Sequence, residues 1–195
     1  MNKISVFFRI LIGSMVLISI FSCQSKKSKK AKNDIPVDIE WTKVSSGLEF
    51  PEGPAWDGSG AIYFSNCDGG WIGKYRNGLT DTFLTARSNT FQKTNGLTFY
   101  KDHLYACEYG KGMLLKISEN GEVEKYATNY QGKSFNRPND LAFNEGGDLY
   151  FTDPNSYGAN ELDGKVFCVK RKTGKVTLVT DSLAFPNGIA FSKNQ

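Results

Sequence analysis

Histidine is scarce in this sequence, and the scarcity narrows the kinds of catalytic site that the chain can build. Its 195 residues include one histidine, His103. A zinc site built on histidines and a Ser-His-Asp triad are therefore disfavoured within this stretch. Cysteine is also scarce, and Cys67, Cys107 and Cys168 are the three that lie beyond the N-terminal leader. An odd number is poor support for a disulfide framework, and their apolar surroundings predict small buried side chains.

Most of the chain also lacks an excess of basic charge, although its formal net charge is +4. Residues 1–32 hold seven of the 24 basic residues and none of the 20 acidic residues, so the remainder carries 17 bases against 20 acids. A mildly acidic body has no electrostatic footprint for nucleic acid, and we expect no nucleic-acid partner. Helical periodicity is missing after the leader as well, which leaves short apolar runs typical of β-strands.

The N-terminal segment has the pattern of an exported protein with a lipid anchor. Basic residues precede an apolar run over residues 10–21, which is shorter than the ~20 residues of a transmembrane helix and typical of a secretory signal. The sequence IFSC at its end resembles a bacterial lipobox, in which the cysteine is lipidated; the alternative is an ordinary signal peptide with an incidental cysteine. We expect residues 1–23 to be a lipoprotein signal peptide ending at lipidated Cys23, residues 24–36 a lysine-rich tether, and residues 37–195 the folded domain. Such a protein is a bacterial membrane-anchored lipoprotein that faces the periplasm or the cell surface.

Four segments of the body repeat one pattern. EGPAWDGSGAIYFSN begins at Glu52, NGLTFYKDHLYACE at Asn95, NDLAFNEGGDLYFTD at Asn139, and NGIAFSKNQ at Asn187. Their first residues lie 43, 44 and 48 positions apart. Internal similarity at a period of ~40–50 residues is typical of a β-propeller.

Each repeat contains the parts of one propeller blade. A short strand, a turn and a second apolar strand come first, and two more strands joined by a tight hairpin follow. The hairpins turn at Asn77-Gly78, Asn120-Gly121 and Thr173-Gly174, pairs that suit positive φ. The pattern predicts an all-β propeller of four-stranded blades, with three full blades and the start of a fourth in this chain. Residues 37–50 are expected to form a strand that pairs with the last blade and closes the ring.

The first residues of the four repeats predict a metal site. The innermost strand of each blade faces the central channel, so Glu52, Asn95, Asn139 and Asn187 are expected to form a ring of one carboxylate and three amides. Such hard oxygen donors suit Ca²⁺ better than they suit softer metals. The alternative is that these asparagines are ordinary turn formers, since Asn-Gly and Asn-Asp pairs are common in turns.

A second set of polar residues ends the second strand of each blade. Asn66, Glu108 and Asp153 occupy equivalent positions in the repeats. We expect them to support the first ring through hydrogen bonds or to reach the ligand. For Asp153, which Pro154 follows, a turn that ends the strand is the simpler alternative.

Several of these segments together resemble a known family. PEGPAW, RPNDLAF, DLYFTDP and FPNGIAF are similar, in order and spacing, to blade signatures of the SMP-30/gluconolactonase/luciferin-regenerating-enzyme family, over roughly residues 39–195. The resemblance implies a six-bladed propeller with a divalent cation, commonly Ca²⁺, in the channel. It implies metal binding by Glu52, Asn139 and Asn187, and substrate contacts from Asn95, Arg137 and Asn139. The family's last ligand and general base is an aspartate one blade further on, outside this sequence; Asp153 is the candidate catalytic carboxylate within it.

The resemblance favours a divalent-cation-dependent hydrolase, a lactonase that opens a sugar lactone. The cation would polarise the lactone carbonyl, and a carboxylate would take the proton from water. Two alternatives remain open: hydrolysis of phosphotriesters or related esters on the same propeller, and a non-catalytic surface-anchored propeller that binds a glycan or a protein. The expected partners are a small-molecule substrate and, through the lipid anchor, a membrane.

Overall fold

The computed structural model describes residues 39–86, 91–157 and 160–192. Residues Thr42–Gln195 form one compact unit, divided from Met1–Trp41, of which only residues 39–41 are described. The described residues contain β-strands β1 (Pro51–Trp56), β2 (Ile62–Asn66), β3 (Trp71–Arg76), β4 (Leu79–Thr85), β5 (Thr94–Tyr100), β6 (His103–Glu108), β7 (Met113–Ile117), β8 (Val123–Ala127), β9 (Leu141–Phe143), β10 (Leu149–Asp153), β11 (Gly164–Val169) and β12 (Val176–Leu183).

The strands form three four-stranded antiparallel sheets, each ordered as in the chain: β1 to β4, β5 to β8, and β9 to β12. Each sheet corresponds to one predicted repeat, so the prediction of an all-β fold of four-stranded propeller blades is confirmed. We call the sheets blades 1, 2 and 3. The fourth repeat begins at Asn187, and residues 187–192 contain no strand.

The hairpin turns between the third and fourth strands lie where the sequence predicts them. Asn77 and Gly78 both have positive φ, at 52° and 82°. In the other two blades only the glycine does, with φ of 86° at Gly121 and 67° at Gly174. Positive φ strains most side chains but not glycine, which explains why each hairpin carries a glycine there.

The core lies between the blades, because the middle blade is covered on both faces. Leu104 and Ala106 of β6 pack into a cluster shared with blade 1, and Tyr105 and Cys107 pack into a cluster shared with blade 3. Successive side chains of a strand point to opposite faces, so the part of a strand that is covered on both sides is apolar on both. This is why residues 104–107 of β6 form a continuous apolar run. Cys67, Cys107 and Cys168 are buried free thiols, as predicted.

The inner strands of adjacent blades approach closely at glycines. A Cβ added to Gly96 would lie 2.6 Å from the carbonyl oxygen of Asn139 and 2.7 Å from Cα of Asp140. One added to Gly53 would lie 2.4 Å from the carbonyl oxygen of Asn95. Only glycine fits at these two positions, which follow the first residues of repeats 1 and 2. The close approach brings the first residues of successive repeats into one layer.

One prediction about the fold is wrong over the described residues. Residues 39–50 contain no strand. The C-terminal end of this segment is held instead by hydrogen bonds from the N–H groups of Cys67 and Asp68. Their acceptors are the carbonyl oxygens of Phe50 and Glu49, at 3.1 and 3.2 Å. A strand requires a neighbouring strand to pair with, and this segment pairs with none of the described strands.

The predicted leader, Cys23 and the tether lie outside the described residues. Among the residues that are described, none belongs to a helix of the length and apolar character needed to cross a membrane.

Candidate functional site

The first residues of successive repeats are joined through their backbone carbonyls. Asn95 accepts a hydrogen bond from Oγ of Ser65 at 2.6 Å, and Asn187 accepts one from Oγ1 of Thr152 at 2.7 Å. The carbonyl of Asn139 accepts the N–H of Gly96 at 2.7 Å. Each bond links one repeat to the next. The backbone of this layer is therefore fixed without using the amide side chains.

The side chains of the predicted metal ligands remain available for a ligand. Glu52 and Asn139 are half-buried, and Asn187 is exposed. Within the described part of the chain, none of these three side chains makes a hydrogen bond, and no three His, Cys, Asp or Glu side chains form a cluster suited to a metal. A carboxylate with two amides is an oxygen-donor set, which fits part of the coordination sphere of a hard cation. It does not fit a zinc site built on cysteine or histidine.

A cavity of about 260 Å³ brings together three of the predicted substrate-contacting residues. Asn95, Arg137 and Asn139 all line it. Asn95 and Asn139 are half-buried and Arg137 is exposed. The guanidinium carbon of Arg137 lies 5.1 Å from the centre of the Tyr157 ring, a cation–π contact, and Tyr157 also lines the cavity. Glu52 and Asn187 are not among its lining residues.

Arg137 is held in place by its own backbone. Its N–H donates to Oδ1 of Asp153 at 2.7 Å, and the N–H of Asn136 donates to Oδ2 at 3.0 Å. Pro138, the next residue, is fully buried and fixes φ. Residues 137–139 therefore reach the cavity on a backbone that hydrogen bonds to Asp153 and the fixed φ of Pro138 hold in place.

The second predicted ring has the supporting role in every blade. Glu108 accepts the N–H groups of Gln92, Lys93 and Lys111 at 2.8, 3.0 and 2.7 Å. Asn66 accepts the N–H of Glu49 at 2.5 Å. Together with Asp153, these side chains bond to backbone groups two or three residues before Glu52, Asn95 and Asn139. All three are buried. They fix the loops that lead into the layer of first residues.

Asp153 lies beside a different cavity from the predicted substrate residues. It lines a space of about 330 Å³ together with Asn136, Asp163 and Lys165. Burial raises the pKa of the Asp153 carboxyl above its ordinary value, while the N–H groups of Asn136 and Arg137 act in the opposite direction. The structure thus separates Asp153 from the cavity that contains Asn95, Arg137 and Asn139.

Sequence reasoning missed one carboxylate, Asp140, which joins three inner segments. Its Oδ1 accepts the N–H of Leu141 and its Oδ2 accepts the N–H of Ile189, both at 2.9 Å. Its side chain also packs against Gly96, because an added Cβ there would meet Oδ1 at 2.6 Å. Asp140 occupies the position that is glycine in the other three repeats. This single departure from the repeat was the signal available in the sequence.

Comparisons with known proteins agree with this architecture. The family profile described as the SMP-30/Gluconolactonase/LRE-like region matches residues 50–195. The chain belongs to the SMP-30/gluconolactonase/LRE-like family. The matched region contains all three blades and every predicted site residue except Cys23.

Curated relatives of this member of the SMP-30/gluconolactonase/LRE-like family include two that are named as lactonases. The gluconolactonase of Zymomonas mobilis is 28% identical over 83% of this chain and 51% of its own length. The lactonase drp35 of Staphylococcus aureus is 29% identical over 80% of this chain and 48% of its own length. A solved structure of a protein assigned as a gluconolactonase is 27% identical, with a TM-score of 0.69 over 80% of this chain and 57% of its own. The chain therefore spans about half the length of the curated relatives that it matches.

Proposed function

We propose that this chain forms part of a divalent-cation-dependent hydrolase that opens a lactone ring. The observation that carries the proposal is the cavity in which Asn95, Arg137 and Asn139 meet, in a chain that belongs to the family. The curated relatives named as a gluconolactonase and as a lactonase support a lactone substrate. A sugar lactone is the first substrate to test.

The proposed cation is held by Glu52, Asn139 and Asn187, and Ca²⁺ is the favoured ion. All three offer oxygen atoms, and the structure leaves their side chains without hydrogen bonds among the described residues. When bound, a divalent cation supplies Lewis-acid polarisation of a carbonyl oxygen. Three oxygen donors are fewer than the 6–8 that Ca²⁺ takes, so water or further groups complete the set.

The residues of the chain orient the substrate around that centre. Arg137 makes no ion pair among the described residues, so its N–H groups are free to donate to substrate oxygens. The amides of Asn95 and Asn139 can donate to hydroxyl or carbonyl oxygens and accept from hydroxyl groups. Rigid support behind these groups matters, because catalysis depends on holding the substrate in a reactive orientation. The hydrogen bonds that Asp153 accepts from the backbone N–H groups of Asn136 and Arg137 supply that support.

Asp153 remains our candidate for a catalytic carboxylate inside this sequence. Burial raises the pKa of its carboxyl, and a raised pKa makes the carboxylate a stronger base. Both of its oxygen atoms already accept backbone N–H groups. We therefore propose support of the Arg137 backbone as the main role of Asp153, and proton transfer as its second role.

We also propose that the protein is exported and attached to a membrane through a lipid on Cys23. The apolar run and the IFSC sequence support this proposal. Mass spectrometry of the protein from detergent extracts should find a diacylglycerol-modified N-terminus, and Cys23→Ser should release the protein into the soluble fraction. An unmodified N-terminus at another residue would contradict the anchor.

The lactonase proposal is tested with the full-length protein by following acid release from D-glucono-δ-lactone and from a simple δ-lactone. We expect turnover that a chelator removes and that Ca²⁺ restores. Glu52→Gln should abolish Ca²⁺ binding, measured by calorimetry, together with turnover, whereas Glu145→Gln, on the exposed turn of blade 3, should change neither. Activity that survives in chelated Glu52→Gln protein would refute the role of the metal. Ligand binding without turnover of any lactone would favour a binding module.

A further inference from the structure

The cavity that contains Asn95, Arg137 and Asn139 has an aromatic wall that the proposed activity does not require. Four aromatic side chains line it: Phe50, Tyr109, Tyr157 and Phe185. They come from the loop before β1, the turn after β6, the loop after β10, and the segment after β12. Separate parts of the chain therefore supply the rings, which is unlike a chance run of apolar residues in one loop.

Two of these rings form a pair at the cavity. The centres of Tyr157 and Phe185 lie 4.6 Å apart with an angle of 31° between the ring planes. Tyr157 is nevertheless 76% exposed, so it presents much of its ring to solvent. The guanidinium of Arg137 contacts the same ring. An exposed aromatic ring held by a second ring and a cation is a platform on which a flat apolar group can stack.

The backbone at this wall is also unusual. Phe50 and Phe185 have φ of 57° and 41°, in the left-handed region that bulky side chains rarely adopt. Such conformations are strained relative to ordinary ones, and strained residues concentrate at ligand sites. Two of the strained residues thus place phenyl rings at one cavity.

Polar side chains line the cavity beside these rings. Asp68 is one of them, and its carboxylate is paired with Lys93 at 3.0 Å. The polar groups left to meet a ligand are two amides, one guanidinium and the phenol hydroxyls of Tyr109 and Tyr157. A ligand with a hydroxyl on nearly every ring carbon would leave several of its hydroxyls against aromatic rings, and a buried hydroxyl without a partner weakens binding.

From these observations we propose that the site prefers a lactone whose ring carries a flat apolar substituent over a polyhydroxylated one. The substituent stacks on Tyr157 and Phe185, and the lactone oxygens face Arg137, Asn95 and Asn139. This inference rests on the proposed lactone site and specifies which class of lactone it takes.

The test measures binding rather than turnover, so that it stands apart from the lactonase assay. Calorimetry on the full-length protein compares three lactams, which resist hydrolysis: δ-valerolactam, 6-phenyl-δ-valerolactam and D-glucono-δ-lactam. We expect the phenyl compound to bind about ten-fold more tightly than the other two, because its ring buries apolar area. Tyr157→Ala should remove most of that difference, whereas Tyr157→Phe keeps the ring and should retain it. Trp56→Ala is the matched control, an exposed aromatic residue in β1 that does not line the cavity.

Each outcome decides the inference. Equal or tighter binding of the polyhydroxylated lactam overturns it, as does an equal loss for all three lactams in Tyr157→Ala. Absence of binding by all three overturns it as well. A preference for the phenyl compound that depends on Tyr157, combined with no lactone turnover, sustains the inference on the ligand and refutes the proposed hydrolysis alone.

Discussion

Replacement of Glu108 tests the idea that buried acceptors at the ends of the second strands hold the loops behind the site. Its side chain is fully buried and accepts three backbone N–H groups, from Gln92, Lys93 and Lys111. Hydrogen bonds to a charged group contribute about 1.5–3 kcal/mol each, whereas a lost bond costs less when water can replace it. Gln92 and Lys111 are exposed residues, so we take about 1 kcal/mol for each lost bond. Glu108→Ala should then destabilise the fold by about 3 kcal/mol.

Glu108→Gln should cost less because it retains the shape and one acceptor oxygen. That oxygen can keep the bonds from Gln92 and Lys93, while the new NH₂ group faces the N–H of Lys111. The loss is one charge-assisted bond, about 1.5 kcal/mol. Blade 1 has a neutral amide, Asn66, at the equivalent position, which supports the expectation that a neutral acceptor is tolerated.

Urea unfolding followed by tryptophan fluorescence measures both variants. With a slope of about 2 kcal/mol per molar urea, the midpoint should fall by about 1.5 M for Glu108→Ala and by about half as much for Glu108→Gln. Hydrogen exchange gives the local check, because the amides of Gln92 and Lys93 should lose protection in Glu108→Ala. The exposed Glu145→Gln serves as control and should stay within about 0.5 kcal/mol. The reasoning fails if the control and Glu108→Ala have the same midpoint, or if these amides already exchange freely in the wild type.

Three further predictions concern packing, thiol reactivity and pH. Gly96→Ala should unfold the inner layer or lower its stability severely, because the new methyl group would meet backbone atoms at 2.6 and 2.7 Å. Gly146→Ala is the control, since a methyl group there meets nothing closer than 3.4 Å. Equal thermal midpoints for the two variants would contradict the close approach at Gly96. Burial raises the pKa of the Cys67 thiol to about 12, so the native protein should label there at pH 8 only after denaturation, and rapid native labelling would refute its burial. Because burial also raises the pKa of the Asp153 carboxyl above its ordinary value, the stability that this group contributes is present at low pH and is lost as the pH rises through the raised pKa. Asp153→Asn should remove this fall in stability from the pH profile of unfolding, and an unchanged profile would count against it.

The blades were predictable from the sequence because their signals are local and repeated. A glycine in a hairpin, such as Gly78, marks a position with positive φ, which glycine adopts at low cost. The apolar run at residues 104–107 predicts a strand, and the structure places that strand in the middle blade, where it is covered on both faces. The spacing of the repeats and the residue pairs at the hairpin turns were together sufficient to predict the four-stranded sheets.

The absence of a strand at residues 39–50 was not predictable in the same way. That prediction assumed an edge with which to pair, and pairing is a property of two segments rather than of one sequence pattern. The end of this segment bonds instead to the residues that follow β2.

The sequence predicted three residues that the structure brings to one cavity, but it did not predict the rest of the cavity or its arrangement. The repeat identified Asn95 and Asn139, and the resemblance added Arg137; the structure places all three at one cavity. The repeat also grouped Asp153 with Asn66 and Glu108, but it did not show that these side chains bond to backbone N–H groups. The aromatic wall could not be predicted from the sequence, because its rings come from four segments with no shared pattern.

The central claim is that side chains from the first positions of separate repeats converge on one cation. The most direct test is a crystal structure of the full-length protein grown with Ca²⁺, with the ion located by anomalous scattering. The account predicts one ion that contacts the carboxylate of Glu52 and the amide oxygens of Asn139 and Asn187. An ion bound elsewhere, or a channel in which Glu52 lies far from both amides, would contradict it.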